Sequence, residues 1–422
     1  MTTHHSRDRA ESAVLAALPG RAHDLARLRV LAAAGLPVVT VIGKYNHGKS
    51  RLLNELIGHT AFGVADRRET IALAEHAHDG VCWLDAPGLD ADVHTADDDH
   101  ALQAIWLRSD IRLFVHAAKE GELDAAERNL LEALRQDGQR TLRQTLCVAS
   151  QVDQLADEAQ LREVVSAISA QAQGHAVHLV SSTRYRQGVE GGKALLLERS
   201  GMPALQQALQ HALAGVPQAR AHEAALLLGE TRADLAQLLS ARQAMLEGLR
   251  TQQTQQRARF ESDLLAALDK VRVDIQALLE VPGPDHSRTP DSFATQFKVT
   301  AGKLERNRLQ VGYSKACIYL NGVLIRHGAA DLPQAQQTGV RSLDQVMVAV
   351  MGVYVKYRKD LHRLFCEEAG RTRLQQEFAH YFELSADRVA LASCIADAEA
   401  DLRTVQHGQA ALDTLSNLQA PV

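Results

Sequence analysis

The stretch Val38-Val39-Thr40-Val41-Ile42-Gly43-Lys44-Tyr45-Asn46-His47-Gly48-Lys49-Ser50-Arg51-Leu52-Leu53-Asn54 decides the fold of this chain. It opens on apolar and β-branched residues, as a buried strand requires, and Leu52, Leu53 and Ile57 begin a helix directly after it. Between them, Gly43 to Ser50 satisfies Gly-x-x-x-x-Gly-Lys-Ser. In that pattern the glycines let backbone N–H groups close around a β-phosphate, the lysine reaches the β- and γ-phosphates, and the serine hydroxyl takes a Mg²⁺. A strand-loop-helix unit that cradles a nucleoside triphosphate is therefore predicted. Gly43, Asn46, His47, Gly48, Lys49, Ser50 and Arg51 lie along the loop, and Lys49 is its catalytic cation.

The pattern around this unit agrees with it. From residue 37 to about 216, strand-like runs at 38–42, 71–76, 81–84, 111–117, 145–149 and 177–180 alternate with helical stretches. Such alternation predicts an α/β fold with a mostly parallel sheet. Only a short Asp79-Gly80 turn separates the second run from the third, so that pair is expected to be an antiparallel hairpin. Residues 1–36 read as two short helices broken at Pro19-Gly20. After Pro217 the strand signal ends. An apolar stripe through Leu228, Leu235, Leu238, Met245 and Leu249 meets a polar gap at 251–259 and resumes at Phe260, Leu264, Leu268, Val271, Ile275 and Leu278. Residues 217–422 are expected to form an all-α domain. It starts with a long bundle helix or a helical hairpin, breaks at Val281-Pro282-Gly283-Pro284, and continues as helices from about 292 to 418 with an interruption near 328–339.

Downstream of the loop, the run at 81–84 ends in Asp85-Ala86-Pro87-Gly88. This places a carboxylate at the C-terminal edge of a buried strand, where Asp85 can hold the Mg²⁺ shell through water and the Gly88 N–H can meet a γ-phosphate. With Asn46-His47-Gly48-Lys49-Ser50-Arg51-Leu52-Leu53-Asn54 and Asp85-Ala86-Pro87-Gly88 in order, residues 37–214 resemble a translation-factor-type P-loop GTPase, near the Era/TrmE-like and dynamin-like groups. The resemblance implies GTP and GDP as bound nucleotides with Mg²⁺, and GTP hydrolysis as the activity. It also implies a Thr about twenty residues past the loop that senses Mg²⁺ and γ-phosphate. Thr70 is the match, with Thr60 as competitor. The metal set is then Ser50, Thr70 and Asp85, and Lys49, Thr70 and Gly88 carry the chemistry.

The guanine motif of that family, Asn/Thr-Lys-x-Asp, stands here as Ser150-Gln151-Val152-Asp153. Asp153 keeps the carboxylate that pairs with guanine N1–H and the 2-amino group. Gln151 lacks the lysine charge, and Ser150 bonds locally. Ser181-Ser182-Thr183 resembles the last base-contacting loop, where a backbone N–H meets guanine O6. Leu89 occupies the position at which many relatives carry a water-orienting Gln, so intrinsic turnover is expected to be slow. Asn46 matches the residue that ligates K⁺ in potassium-stimulated relatives, and on that reading K⁺ is a further cofactor.

A formal net charge of −5 gives no global attraction to nucleic acid, which is not an expected partner. The five cysteines stand far apart without a Cys-x-x-Cys pair, which fits a reducing cytoplasm. The longest apolar run, residues 346–355, is half the ~20 residues a spanning helix needs. Lys356, Arg358, Lys359 and Arg363 follow it, so it reads as a core helix with a basic end or as a peripheral membrane contact. His94, Asp97, Asp98, Asp99 and His100 read as a solvated loop rather than a metal site. The first functional expectation is a GTP-driven switch or dynamin-like mechanoenzyme whose helical domain acts on a membrane or on a second copy of the chain, with a homodimer through the GTPase domain. The alternative is a slow nucleotide-gated adaptor for a protein partner.

Overall fold

The computed structural model describes residues 2–33, 35–63, 74–86, 103–172, 174–293, 296–352 and 354–419. Two compact units divide the chain: Met1–Gln237 with Val405–Val422, and Leu238–Thr404.

The first unit is built on a six-stranded sheet of order β2-β3-β1-β4-β5-β6, with β1 at Val38–Ile42, β2 at Ala74–His78, β3 at Val81–Asp85, β4 at Ile111–Ala117, β5 at Gln144–Ser150 and β6 at Val177–Leu179. Only the β2–β3 pair is antiparallel, the hairpin that Asp79-Gly80 announced. Every residue of β1 is buried, because side chains alternate across the sheet and both faces are covered. Val39 and Val41 enter a core with Leu52, Leu53 and Ile57 of helix α3 (Lys49–Ile57) and with Met202, Leu205 and Leu209. Val38 and Ile42 enter the opposite core, closed by Leu131 and Leu134 of α4 (Ala125–Thr141) and Ile168 of α5 (Glu158–Gln171). Alternation along one strand thus splits the apolar content into a layer on each face.

Two N-terminal helices, α1 (Thr2–Ala17) and α2 (Ala22–Ala32), belong to this unit. Arg27 of α2 holds α2 to the N-terminal edge of the sheet. Its Nε and Nη2 donate to the two carboxylate oxygens of Glu223 at 3.0 and 2.8 Å, and its Nη1 to Leu107 O at 2.8 Å. Asp110, which accepts from Val38 N–H at 2.8 Å and from Arg220 Nε and Nη2 at 3.0 and 2.5 Å, lies 3.3 Å from Arg27 Nη2. Burial pulls the Arg27 pKa down, and the Glu223 and Asp110 carboxylates more than offset it, leaving it raised.

Helix α6 (Ser182–Gly191) and the short α7 (Ala194–Arg199) lead into α8, one continuous helix over Met202–Leu279. The polar stretch at 251–259 does not break it, so the single long helix is formed and not the hairpin, and Pro217 lies inside it. In the second unit, α9 (Ala301–Arg326), α10 (Val346–Met351), α11 (Arg358–Leu361) and α12 (Glu368–Glu383) surround a core of Phe260, Leu264, Leu268, Leu309, Phe365 and Phe378. The last helix, α13, spans Ala386–Gln419. Val346, Met347, Val350 and Val355 are buried in this core. Four residues of the apolar run thus pack in the core, while Ala349 and Tyr354 are exposed. Among the described residues no helix is long and apolar enough to cross a membrane.

Candidate functional site

Four chain segments leave the carboxyl edge of the parallel strands side by side: the Gly43 loop after β1, Asp85 at the end of β3, Ser150 at the end of β5 and Ser181 after β6. This is the edge at which open α/β sheets place ligands.

The loop has its shape because two of its residues are glycine. Gly43 has φ +147°, and a Cβ there would stand 2.1 Å from Val115 O, so no side chain fits. Gly48, at φ +80°, is the N-cap of α3, and Lys49 begins the helix. Asn46 between them also takes a left-handed conformation, φ +59°. Lys49 Nζ curls back to donate to Lys44 O at 2.8 Å. Ser50 Oγ donates to Asp85 Oδ2 at 2.5 Å, joining the two metal candidates of α3 and β3 directly.

Asp85 is 3% exposed, and its other oxygen, Oδ1, is buried without a hydrogen-bond partner among the described residues. Burial raises the Asp85 pKa, only partly countered by the Ser50 hydroxyl and the Lys49 charge. A buried carboxylate oxygen with no donor costs free energy that a hydrated cation would relieve. Hydroxyl, carboxylate and nearby ammonium are the donor set that suits Mg²⁺ with phosphate.

Ser150 and Gln151 act on the phosphate loop itself. Ser150 Oγ donates to His47 O at 2.6 Å, and Gln151 Nε2 donates to Asn46 O at 2.7 Å. Gln151 takes φ +57° to do so, which turns the chain into the short 3₁₀ turn Val152–Gln154 carrying half-exposed Asp153. Their side chains thus tie the segment that carries Asp153 to the phosphate loop. Ser181 is fully buried and caps α6, accepting from Arg184 N–H at 3.0 Å, while its own N–H is donated to Ser200 O at 2.9 Å. The Ser181 amide, expected at the base, is thus engaged within the fold, and Ser182 begins α6.

His47 faces the interior. Its Nδ1 lies 3.2 Å from Val115 O and its Nε2 2.9 Å from Glu120 Oε2. Next to it, His116 Nδ1 lies 2.9 Å from Glu127 Oε1 and Nε2 3.1 Å from Gly121 O, the two rings meeting edge to face at 5.2 Å. Burial lowers the His116 pKa, but the Glu127 hydrogen bond and charge outweigh it and leave it raised. Lys44 pairs with Asp124, whose carboxylate also caps α4 in a capping box with Glu127. These groups form a polar post under the loop. Sequence reading found His47 but not His116, Glu120, Asp124 or Glu127, although Asp124-x-x-Glu127 is a legible capping box. Thr70, Gly88 and Leu89, with the acidic stretch 94–100, lie outside the described residues. Arg51 is half-buried on α3.

One protein family and several known proteins are similar to the chain. The family described as 50S ribosome-binding GTPase matches residues 38–150. Among solved structures, Toc33 of Arabidopsis thaliana in complex with GDP and Mg²⁺ is similar at 19% identity over 38% of this chain and 79% of that one, with a TM-score of 0.28. A "probable GTP-binding protein engB" is similar at 15% identity over 38% of this chain and 99% of that one, with a TM-score of 0.28. The uncharacterized protein ACIAD1443 of Acinetobacter baylyi is 49% identical over 405 residues, 96% of this chain and 97% of its own length. The chain carries a P-loop GTPase domain and belongs to the family of the Acinetobacter baylyi protein ACIAD1443.

Proposed function

We propose that this chain binds GTP with Mg²⁺, hydrolyses it slowly, and passes the nucleotide state to its helical unit. The observation that carries the reading is the Ser50–Asp85 hydrogen bond beside the phosphate loop, with Asp85 buried at the end of β3 and its Oδ1 unpartnered among the described residues. On this reading Ser50 and Thr70 ligate Mg²⁺, Asp85 holds its water, and Lys49 exchanges Lys44 O for phosphate oxygens. Gly88 meets the γ-phosphate. Leu89 leaves no side chain there to orient the attacking water, so faster turnover draws on K⁺ at Asn46 or on a second GTPase domain.

Guanine selection rests on Asp153, in the segment that Ser150 and Gln151 tie to the phosphate loop. Isothermal titration of GTP, GDP and ATP in Mg²⁺ tests it. GTP and GDP should bind and ATP should bind at least tenfold more weakly, with Asp153→Ala removing most of that preference. ATP binding as tight as GTP in the unaltered chain would sink the guanine assignment.

The helical unit offers a lipid surface, rather than a protein adaptor site, as its target. Phe293, Phe297 and Val299 are 94%, 95% and 77% exposed, next to Lys298. Burying each phenylalanine in the interface is worth about 1.5–3 kcal/mol. The chain should pellet with anionic liposomes in a GTP analogue, and Phe293→Ser/Phe297→Ser should stay in the supernatant. Equal pelleting of the two proteins would remove the membrane reading and favour the adaptor.

A further inference from the structure

Three histidines stand together at the edge of the sheet, away from the phosphate loop's own donors. His76 and His78 lie two apart on β2, so strand alternation puts both side chains on one face. The Asp79-Gly80 turn, with φ +48° and +73°, locks the hairpin so that His76 pairs with Trp83 and His78 with Val81. His59, just past the C-cap Gly58 of α3, brings the third ring: its centroid is 5.3 Å from that of His76 and 5.1 Å from that of His78, both edge to face. One ring nitrogen from each residue lies within 4.8 Å of the others. Among the described residues neither His59 nor His76 has a hydrogen-bond or ion-pair partner, whereas His78 Nε2 is 3.3 Å from Asp79 Oδ2. All three are at least partly open to solvent.

We propose that His59, His76 and His78 form a site for one divalent transition-metal ion of the zinc type. Neutral imidazoles are ligands for Zn²⁺, and a tetrahedral ion with Zn–N of about 2.0–2.1 Å needs nitrogens roughly 3.3 Å apart. The rings reach that spacing by side-chain rotations of the order of 1 Å, which half-exposed side chains on a rigid hairpin permit. Asp79 supplies the carboxylate that typically orients a ligating histidine or completes the shell. The fourth position faces solvent and takes water. This differs from the buried pair His47 and His116, whose four ring nitrogens already face oxygen acceptors. The ligands come from both flanks of the stretch that carries Thr70 in the sequence, so an occupied site sets the distance between those flanks.

The test uses the full chain, stripped of nucleotide and metal with EDTA, titrated with Zn²⁺ against a chromogenic chelator. One tight equivalent is expected, and His59→Gln, His76→Gln and His78→Gln should each weaken it about 100-fold, with circular dichroism unchanged. Co²⁺ in the site should give visible d–d absorption with no thiolate charge-transfer band. Zinc binding that survives all three substitutions, binding lost only in His116→Gln, a thiolate band, or no tight equivalent would each overturn the assignment.

Discussion

Lys49→Ala will bind GTP about 10²–10⁴-fold more weakly than the unaltered chain while keeping its fold. The estimate follows from two charge-assisted hydrogen bonds to phosphate, each worth about 1.5–3 kcal/mol. The fold should survive because Lys49 opens α3 at its first position, outside the apolar core, and its ammonium bonds a backbone carbonyl of its own loop, Lys44 O. Asp85→Asn isolates the metal contribution. An asparagine oxygen can still accept from Ser50, but the charge that holds a Mg²⁺ shell is gone. The gain in GTP affinity on adding Mg²⁺ over EDTA should fall at least tenfold in that variant. Titration calorimetry in the two conditions measures both, and GTP binding by Lys49→Ala within threefold of the parent would show that nucleotide sits elsewhere.

The second large effect lies at the opposite edge of the sheet. Arg27→Met removes the cation shared by Glu223 and Asp110, carboxylates that are 2% and 3% exposed. Breaking a buried pair by removing one partner costs about 3–5 kcal/mol, and here Arg220 on Asp110 and Arg143 on Glu223 hold the cost toward the lower end. For a unit of this size that lowers Tm by roughly 6–20 °C. Arg232→Met is the control: its Asp413 partner is 70% exposed and the pair is worth about 0–1 kcal/mol. Thermal melts of the three proteins decide it, and similar Tm values for Arg27→Met and Arg232→Met would refute the network's role. Stability of the N-terminal helices and nucleotide binding are therefore separable, since the two variants act at opposite ends of the same strands.

The two predictions differ in how visible their residues were beforehand. Lys49 was legible because a phosphate loop is a local device. Its glycines, its strand and its helix are contiguous, and each residue's reason lies within a few positions. The same holds for the Asp79-Gly80 hairpin and the break at Pro19-Gly20, where backbone preferences act without help from distant chain. The hairpin alternative for residues beyond 217 failed for a related reason. A polar stretch such as 251–259 reads as a gap when packing is unknown, yet those residues are tolerated on the exposed sides of a continuous helix.

Arg27, by contrast, is one of many arginines in the sequence, and only the fold brings it to Glu223, 196 positions away. The same is true of Ser150 on His47 O, 103 positions apart, which turned a weak match to a base motif into a brace for the phosphate loop. His59 and His76 became neighbours only when β2 folded against β3 beside α3. The sequence alone determined the α/β class, the phosphate loop and the acidic end of β3, because these follow from local periodicity and backbone need. Tertiary structure decided which polar side chains meet, because a charge or an imidazole has no periodicity to betray its partner and finds it only through the packing of the apolar layers.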